Sequence, residues 1–552
     1  MQLNSLRAAL LTVLSVLALA LAACGGSDST DSTTSSADLG PDPATMAPAG
    51  SPVYGEVVVR PEGTLGDDLN SALSKLLSED DPGGMIRSAI DEGLSSDPNS
   101  GGITYTDDIE PWLGSRAGFF LSGIDATGSS ATGAVAVAVT DPDAAKAFID
   151  KALAADPAEE TDSSYQGVDY KVDSDGAAVG VSGDFLVAGT EQALKDAIDA
   201  GAGDSLADDS TVTAALDEAP DNSLFSVYAD TPAIVDLIKS SGSLSAAEST
   251  QLDEQVAQYS DGPVEAWGTV TDSTFALGAS APTAGAGGPS DLIAGFPSDS
   301  WLAFATADVG EQLQNTVAQF ETAFESGFES AVPPGYNASK YDPLAQVEAQ
   351  TGIDLQKDLA WIGDVGGYIH GTQILGLGGG FVVETTDEAA ATKTLDSIEA
   401  MLQGIPDVQV SPSSTGNGFR IQPTSAPVGG EVAVEDGKLV AGFGGDSIDD
   451  VVAPAETLDG SDRFSTITDS LGDSATANFF LDFGPVIQLV ESSGEAATSD
   501  PDYQMAKPYL DALDYIVSGS AAEGDRTIAS IVLGVKEATD SSSDATAAVI
   551  TP

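Results

Sequence analysis

The sequence predicts an α+β protein: two tandem homologous repeats, each an antiparallel sheet backed by helices, following a secretory signal and a disordered tether. Three observations carry this expectation. Short apolar motifs recur in the same order at nearly constant spacing, two-residue turn pairs separate neighbouring β-prone runs, and single helix-period segments interrupt those runs.

The first element is an export signal. Arg7 gives a positive start, Ala8 to Ala20 form an apolar run too short to span a bilayer, and small residues lead to Cys24. The ending Leu21-Ala22-Ala23-Cys24 resembles the lipobox of bacterial lipoproteins, which implies cleavage after residue 23 and a diacylglyceryl thioether on Cys24. The alternative is an ordinary signal cut nearby that leaves a free thiol. Two or more acyl chains on one residue anchor firmly, since each buried methylene contributes ~0.8 kcal/mol. Residues 24–50, rich in Ser, Asp, Thr and Pro, read as the lipidated cysteine and a flexible tether.

Composition limits what the body does. The chain has 552 residues, 42% of them hydrophobic, enough for two or more packed domains. Lys and Arg total 19 against 87 Asp and Glu, a formal net charge of −68. Phosphate recognition needs clustered cations, so nucleic acid is excluded as a partner. With one cysteine no intramolecular disulfide is available, and stability outside the cell must come from packing.

The body then reads as a first repeat over 51–286, a second over 287–541 and a disordered tail over 542–552. Trp112-Leu113-Gly114 recurs as Trp361-Ile362-Gly363, 249 residues on, and Val139-Thr140-Asp141 as Thr385-Thr386-Asp387, 246 on. Leu186-Val187-Ala188-Gly189 recurs as Leu439-Val440-Ala441-Gly442 at 253, and Ser240-Ser241-Gly242 as Ser492-Ser493-Gly494 at 252. In the first repeat Leu65 to Leu77 and Ile86 to Leu94 have helical spacing, and the matching helix of the second carries Leu313, Val317, Phe320, Phe324 and Phe328. Strands follow at 117–121, 134–139, 170–172, 179–181 and 185–187, with Asp175-Gly176 and Gly183-Asp184 as hairpin turns. Asp141-Pro142, Thr190 and Asp230-Thr231-Pro232 supply helix starts, and strands at 264–270 and 274–279 close the copy.

Arg60-Pro61-Glu62-Gly63, Asp108 to Gly114 and Asp358 to Gly363 together resemble domain of unknown function 3352, found in exported bacterial proteins and frequent in lipoproteins. The resemblance covers Ser51 to Pro282 and Pro297 to Glu537. It implies an envelope location and carries no catalytic residues with it. The second copy departs from the pattern, with Ala360 where the first has Pro111 and nothing matching Arg60-Pro61.

Candidate chemistry is sparse. His370 is the only histidine and reads as structural, so a Ser-His-Asp or Cys-His centre lacks its parts. Counting excludes a Cys/His zinc site, and no catalytic residue, metal ligand or cofactor is assigned. The acidic runs Asp156 to Asp162 and Asp204 to Asp209 offer at most weak divalent-cation binding, and Asp173 to Gly176 reads as a hairpin turn rather than a calcium loop. Gly376 to Gly380 is followed by strand-like Phe381-Val382-Val383 instead of a helix, so it reads as a strand junction and not a phosphate loop. Trp112, Gly114, Trp361 and Gly363 form the recurring signature, either core packing at a tight turn or the lining of a pocket.

The expected function is therefore a non-enzymatic binding or scaffolding module, lipid-anchored at the outer face of the cell membrane, with an envelope protein or hydrophobic ligand as partner. The alternatives are a carrier of lipid or another hydrophobic ligand and, third, a carboxylate-dependent hydrolase.

Overall fold

The computed structural model describes residues 39–536 apart from 97–99, 125–130, 155–159, most of 243–261, 284–288, most of 319–356, 425–428, 473 and 495–498. Cys24, the tail and the Phe320, Phe324 and Phe328 stripe lie outside the described residues. The chain divides into two compact units: Met1–Ala284 with Asp511–Leu513 and Glu523–Pro552, and Gly285–Leu510 with Asp514–Ala522.

In the first unit β1 (Val53–Val58) leads to α1 (Gly63–Leu77), α2 (Pro82–Ser96), a π-helical turn (Tyr105–Ile109), β2 (Leu113–Ile124), β3 (Ala131–Val139) and α3 (Pro142–Ala154). A meander follows: β4 (Thr161–Tyr165), β5 (Val168–Val172), β6 (Ala177–Ser182) and β7 (Phe185–Thr190). Then come α4 (Glu191–Ala202), α5 (Ser210–Leu216), β8 (Ser223–Asp230), α6 (Thr231–Ser240), β9 (Pro263–Val270) and β10 (Thr274–Pro282). Every pairing is antiparallel, in the spatial order β4-β5-β6-β7-β3-β2-β1-β8-β9-β10.

Local chemistry accounts for these joints. Gln166 and Gly167, both with positive φ (48° and 88°), make the tight turn between β4 and β5. The side chains of Thr190 and Asp230 accept the Ala193 and Ala233 N–H groups, starting α4 and α6 where their sequences predict.

Helices cover both faces of this sheet. On one, α2, the π-turn and α3 bury Ile90, Ile109, Trp112 and Phe148 against Val137, Leu186 and Ala188. On the other, α4 and α5 bury Leu194, Ile198 and Val212 with Tyr54, Phe120, Ala136 and Val187.

The sequence reading extends the tether to Gly50, and here the structure differs. Asp42 caps a 3-10 turn at Pro43–Met46, whose Ala44 and Met46, with Ala47, are buried in the same core as Tyr54 and Phe120. The Leu206 N–H donates to the Ala47 carbonyl at 2.8 Å. Gly118 makes room for this turn, since a Cβ there would lie 2.6 Å from Pro43. The small residues that read as linker let the chain lie close on the sheet.

The second unit starts with a 3-10 turn (Asp291–Gly295), then β11 (Ser300–Thr306), β12 (Ile362–His370), β13 (Gly378–Thr385), α7 (Glu388–Leu402), β14 (Val408–Pro412), β15 (Gly418–Pro423), β16 (Gly430–Glu435) and β17 (Lys438–Phe443). α8 (Ile448–Val452), α9 (Asp462–Thr468), β18 (Thr476–Asp482), α10 (Phe483–Ser492), α11 (Pro501–Ala512) and β19 (Leu513–Glu523) follow. The order is β14-β15-β16-β17-β13-β12-β11-β18-β19, again antiparallel throughout. Trp361, Ala391 and Leu395 pack with Val383, Phe419 and Val434. The Gly376 to Gly380 run is a 3-10 turn (Ile374–Gly376) entering β13. Gly380 has a positional reason, because a Cβ there would meet the Tyr368 ring at 2.6 Å and Val451 at 2.8 Å.

The chain's last strand, β20 (Arg526–Val535), pairs with β10 over its length and so belongs to the first unit, although sequence order puts it in the second repeat. Arg526 fastens it: Nε donates to Ser280 Oγ at 2.7 Å, Nη1 to the Pro263 carbonyl at 3.2 Å, and Nη2 to Glu265, which is 3% exposed.

Candidate functional site

The recurring tryptophans come first, because the sequence singles them out. Trp112 is buried, stacks obliquely on Phe148 of α3 with centroids 5.2 Å apart, and donates its indole N–H to the Asp108 carbonyl at 2.6 Å. The Asp108 carboxylate takes Lys151 Nζ of α3 at 2.6 Å and the Thr104 N–H at 2.9 Å. Burial alone would raise its pKa, but the Lys151 and Thr104 hydrogen bonds outweigh that and lower it.

Trp361 repeats the construction. Its indole N–H donates to Thr394 Oγ1 at 3.3 Å, and that hydroxyl donates to the Asp358 carbonyl at 3.2 Å. Asp358 takes the Asp354 N–H at 3.0 Å and Lys393 Nζ of α7 at 2.9 Å, and these, in that order, lower its pKa. The aspartate stands four residues before Trp112 but only three before Trp361, and in the shorter loop Thr394 relays the bond. Gly114 and Gly363 sit where a Cβ would press on the next strand, 2.8 Å from the Ala138 carbonyl and 3.1 Å from that of Glu384. All four signature residues thus serve as a latch between the sheet and the helix after β3 or β13. Neither tryptophan is among the residues lining the second unit's cleft described below.

The opposite face of each sheet carries a polar group under its 3-10 turn. In the first unit the Tyr54 hydroxyl donates to Glu56 at 3.1 Å, and Arg116 Nη2 bridges Glu56 at 3.0 Å and Asp42 at 2.9 Å. Burial, then Glu56 and Asp42, push the Tyr54 phenol well up. In the second unit the Tyr368 hydroxyl donates to Asp446 Oδ2 at 3.2 Å, and burial followed by Asp446 pushes that phenol above its ordinary range.

His370 Nε2 lies 2.8 Å from Asp446 Oδ2, and Nδ1 lies 3.1 Å from Asp299 Oδ2. A neutral imidazole has one N–H, so donating to both carboxylates requires the doubly protonated ring. Each ring nitrogen thus lies within hydrogen-bond distance of a carboxylate. Gly378 makes space for the ring, its missing Cβ falling 2.6 Å from Nε2.

Beside this group the second unit has a half-open cleft of about 410 Å³. Its apolar wall is formed by Leu292, Phe296, Val382, Val451 and Val452, and its charged wall by Asp291, Asp364, Glu384 and Lys438. Phe296 also stacks on Tyr368, with centroids 5.2 Å apart. Glu384 and Lys438 are cross-strand partners with side chains 46% and 33% exposed, and 3.8 Å separates their charged atoms. The position they hold, two residues beyond the Val382–Val440 pair, corresponds in the first unit to Ala138 and Phe185, two beyond Ala136–Val187. There both residues are buried, at 0% and 5% exposure.

The acidic runs resolve into local caps. Asp208 accepts the Ser205 hydroxyl at 2.9 Å, Asp209 caps α5, and Asp173 Oδ1 accepts the Asp175 and Ala177 N–H groups at 2.9 Å inside a hairpin turn. Asp162 pairs with Lys171, while 155–159 lie outside the described residues. Among the described residues no group of His, Cys, Asp and Glu is placed to hold a metal ion. Sequence reasoning missed Arg116, Arg463 and Arg526, each of which ties two carboxylates. Their scarcity among 87 acids was the available signal.

No curated protein matches the chain. Crystal form I of TP0453 overlaps it with a TM-score of 0.23 and 11% identity over 45% of this chain and 81% of that one; form III gives 0.22 and 10% over 45% and 82%. At such scores the overlap carries no argument. A family model described as Protein of unknown function (DUF3352) matches residues 90–530, and the chain belongs to that family.

Proposed function

We propose that this protein is a lipid-anchored, non-enzymatic binding or scaffolding module of the cell envelope, made of two duplicated α+β copies. The observation that carries the location is Leu21-Ala22-Ala23-Cys24 after a short apolar run. Packing begins by Leu39, which lies against the Val58, Leu65 and Leu69 cluster, so the tether read from the sequence ends before that residue. The duplication reading draws support from the matching order of nine strands in each unit, from the paired tryptophan latches, and from the matching Leu206-to-Ala47 and Leu458-to-Phe296 bonds, both 2.8 Å.

The carrier alternative asks for a roomy apolar cavity. The cleft is at the small end of ligand pockets and has charged groups in one wall, which suits a small polar ligand better than an acyl chain. The test of anchoring is membrane fractionation with and without globomycin, alongside Cys24→Ala. Accumulation of uncleaved precursor in the first case and loss of the lipidated membrane form in the second are expected. Unchanged processing and fractionation would overturn the proposal.

A further inference from the structure

We propose that the turn between β12 and β13 in the second unit, with the phenylalanines beside it, is a contact surface for the lipid bilayer. The turn runs from Gly371 to Leu377 and carries Ile374 and Leu375, which are 59% and 94% exposed. A leucine held almost wholly in water adds nothing to the packing of the fold and gains whenever another apolar phase covers it.

An apolar strip leads from this turn into the sheet. Phe443, at the end of β17, lies across Gly379 of β13, where a Cβ would meet its ring at 2.5 Å. Phe381, two residues further along the same face of β13, approaches Phe304 of β11 with ring centroids 6.4 Å apart. All three rings are more than a third exposed. Gly444 joins the strip to the turn, because its φ is +76° and a Cβ there would collide with the Leu377 carbonyl. Contiguity sets this patch apart from the singly scattered apolar residues of an ordinary surface.

Charge selects the bilayer as the partner. From Val365 to Val383 the chain has no Asp, Glu, Lys or Arg, although 87 of its 552 residues are acids. Three acids at this end of the sheet are held by basic side chains: Asp299 and Asp446 flank His370 at 3.1 and 2.8 Å, and Asp482 takes Arg463 Nε at 3.0 Å. A lipid phase rejects ionised groups over the whole footprint and asks for no complementary shape, whereas a protein interface sets its apolar core within a polar rim. A protruding leucine in uncharged surroundings meets the first requirement. The acid-dense remainder of the chain is repelled by an anionic leaflet, which leaves this end as the part fitted to approach one. Nor does the hairpin itself demand an apolar tip. The corresponding strands of the first unit, β2 and β3, are joined in sequence by Asp125-Ala126-Thr127-Gly128-Ser129-Ser130, which has an acid and no large apolar residue.

The proposal rests on the Cys24 reading only for bringing a bilayer within reach, so it is tested without the anchor. The chain from residue 24 onward, carrying Cys24→Ala and hence no acyl group, is floated with phosphatidylcholine vesicles. It is expected to float with them. Leu375→Asp, at a side chain that the fold leaves in water, should lower the floated fraction about tenfold or more. Met505→Asp, at a methionine of α11 that is 71% exposed, should leave it within about twofold. All four native tryptophans are buried, so the indole introduced by Leu375→Trp reports the tip alone, and vesicles should shift its emission to the blue and spin-labelled lipid should quench it. Absence of flotation overturns the proposal, as does flotation that Leu375→Asp leaves intact or an indole that the lipid does not quench. Self-association in sedimentation that Leu375→Asp abolishes, without flotation, would make the tip a contact between copies and overturn it equally. Circular dichroism and melting of each variant separate loss of the tip from loss of the fold. Globomycin sensitivity reads Cys24 and flotation reads the tip, so either proposal can fail alone.

Discussion

Beneath the helix that follows β7, the first unit buries Phe185 on Ala138; beneath the corresponding helix after β17, the second sets Lys438 beside Glu384 in an open cleft. On the other face of the same two sheets the two units are built alike. Each carries a buried tryptophan, an aspartate carbonyl reached directly or through one hydroxyl, and a lysine from the next helix. The face that carries the tryptophan latches is thus built alike in the two units, while the other differs at this cross-strand pair.

Several substitutions sharpen or break this contrast. The largest effect is expected from Trp112→Ala and Trp361→Ala, each costing about 3–5 kcal/mol in its own unit, as large-to-small changes at buried aromatic sites do. Hydrogen exchange followed by mass spectrometry would read this unit by unit. If only one latch matters, the two are not equivalent.

Arg526→Ala comes next, at about 3–5 kcal/mol, because it leaves Glu265 buried without its cation. The loss should appear in the first unit's amides although residue 526 lies near the end of the chain. Loss confined to the second unit would refute the assignment of β20.

Glu431 gives a pH-dependent case. Burial acts to raise its carboxyl, but hydrogen bonds from the Ser413 hydroxyl (2.6 Å), the Ser414 N–H (2.7 Å) and the Ser414 hydroxyl (2.7 Å), with Arg420, hold it down to about 2. A depressed carboxylate pKa contributes stability that is full above the unfolded value, near 4.5, and is lost as pH falls toward 2. Glu431→Gln should thus speed exchange in the β14–β15 hairpin at pH 7 and make little difference at pH 2. Lys151→Met and Lys393→Met should have the smallest effects, under about 1 kcal/mol, since the lysine ends of these pairs are solvent-exposed and both aspartates keep backbone hydrogen bonds.

Much of the fold was legible because its signals are local. Helical spacing from Leu65, the Asp141-Pro142 start and the Gly183-Asp184 turn each depend on a few consecutive residues, and each lies where expected. β1 and β8 were missed: Val53 to Val58 and Ser223 to Asp230 are central strands whose mixed composition makes sense only beside their neighbours. The end of the tether was misread for the opposite reason, since Pro43-Ala44-Thr45-Met46 has linker composition and is ordered by what it packs on. The signature tryptophans were found, with core packing at a tight turn as one of two readings, but not their lysine partners Lys151 and Lys393, which lie more than thirty residues away. The cleft had no sequence signal at all. It comes from a shortened helix and an exchanged cross-strand pair, both visible only once the strands are in register.

The most direct test is a paired measurement of urea unfolding, resolved by unit through hydrogen exchange, for Phe185→Ala and Lys438→Ala. The account predicts a loss of about 3–5 kcal/mol in the first unit for Phe185→Ala and a change within about 0.5 kcal/mol in the second for Lys438→Ala. Equal losses would contradict it, because they would mean that the two positions are packed alike and that the second unit has no open face.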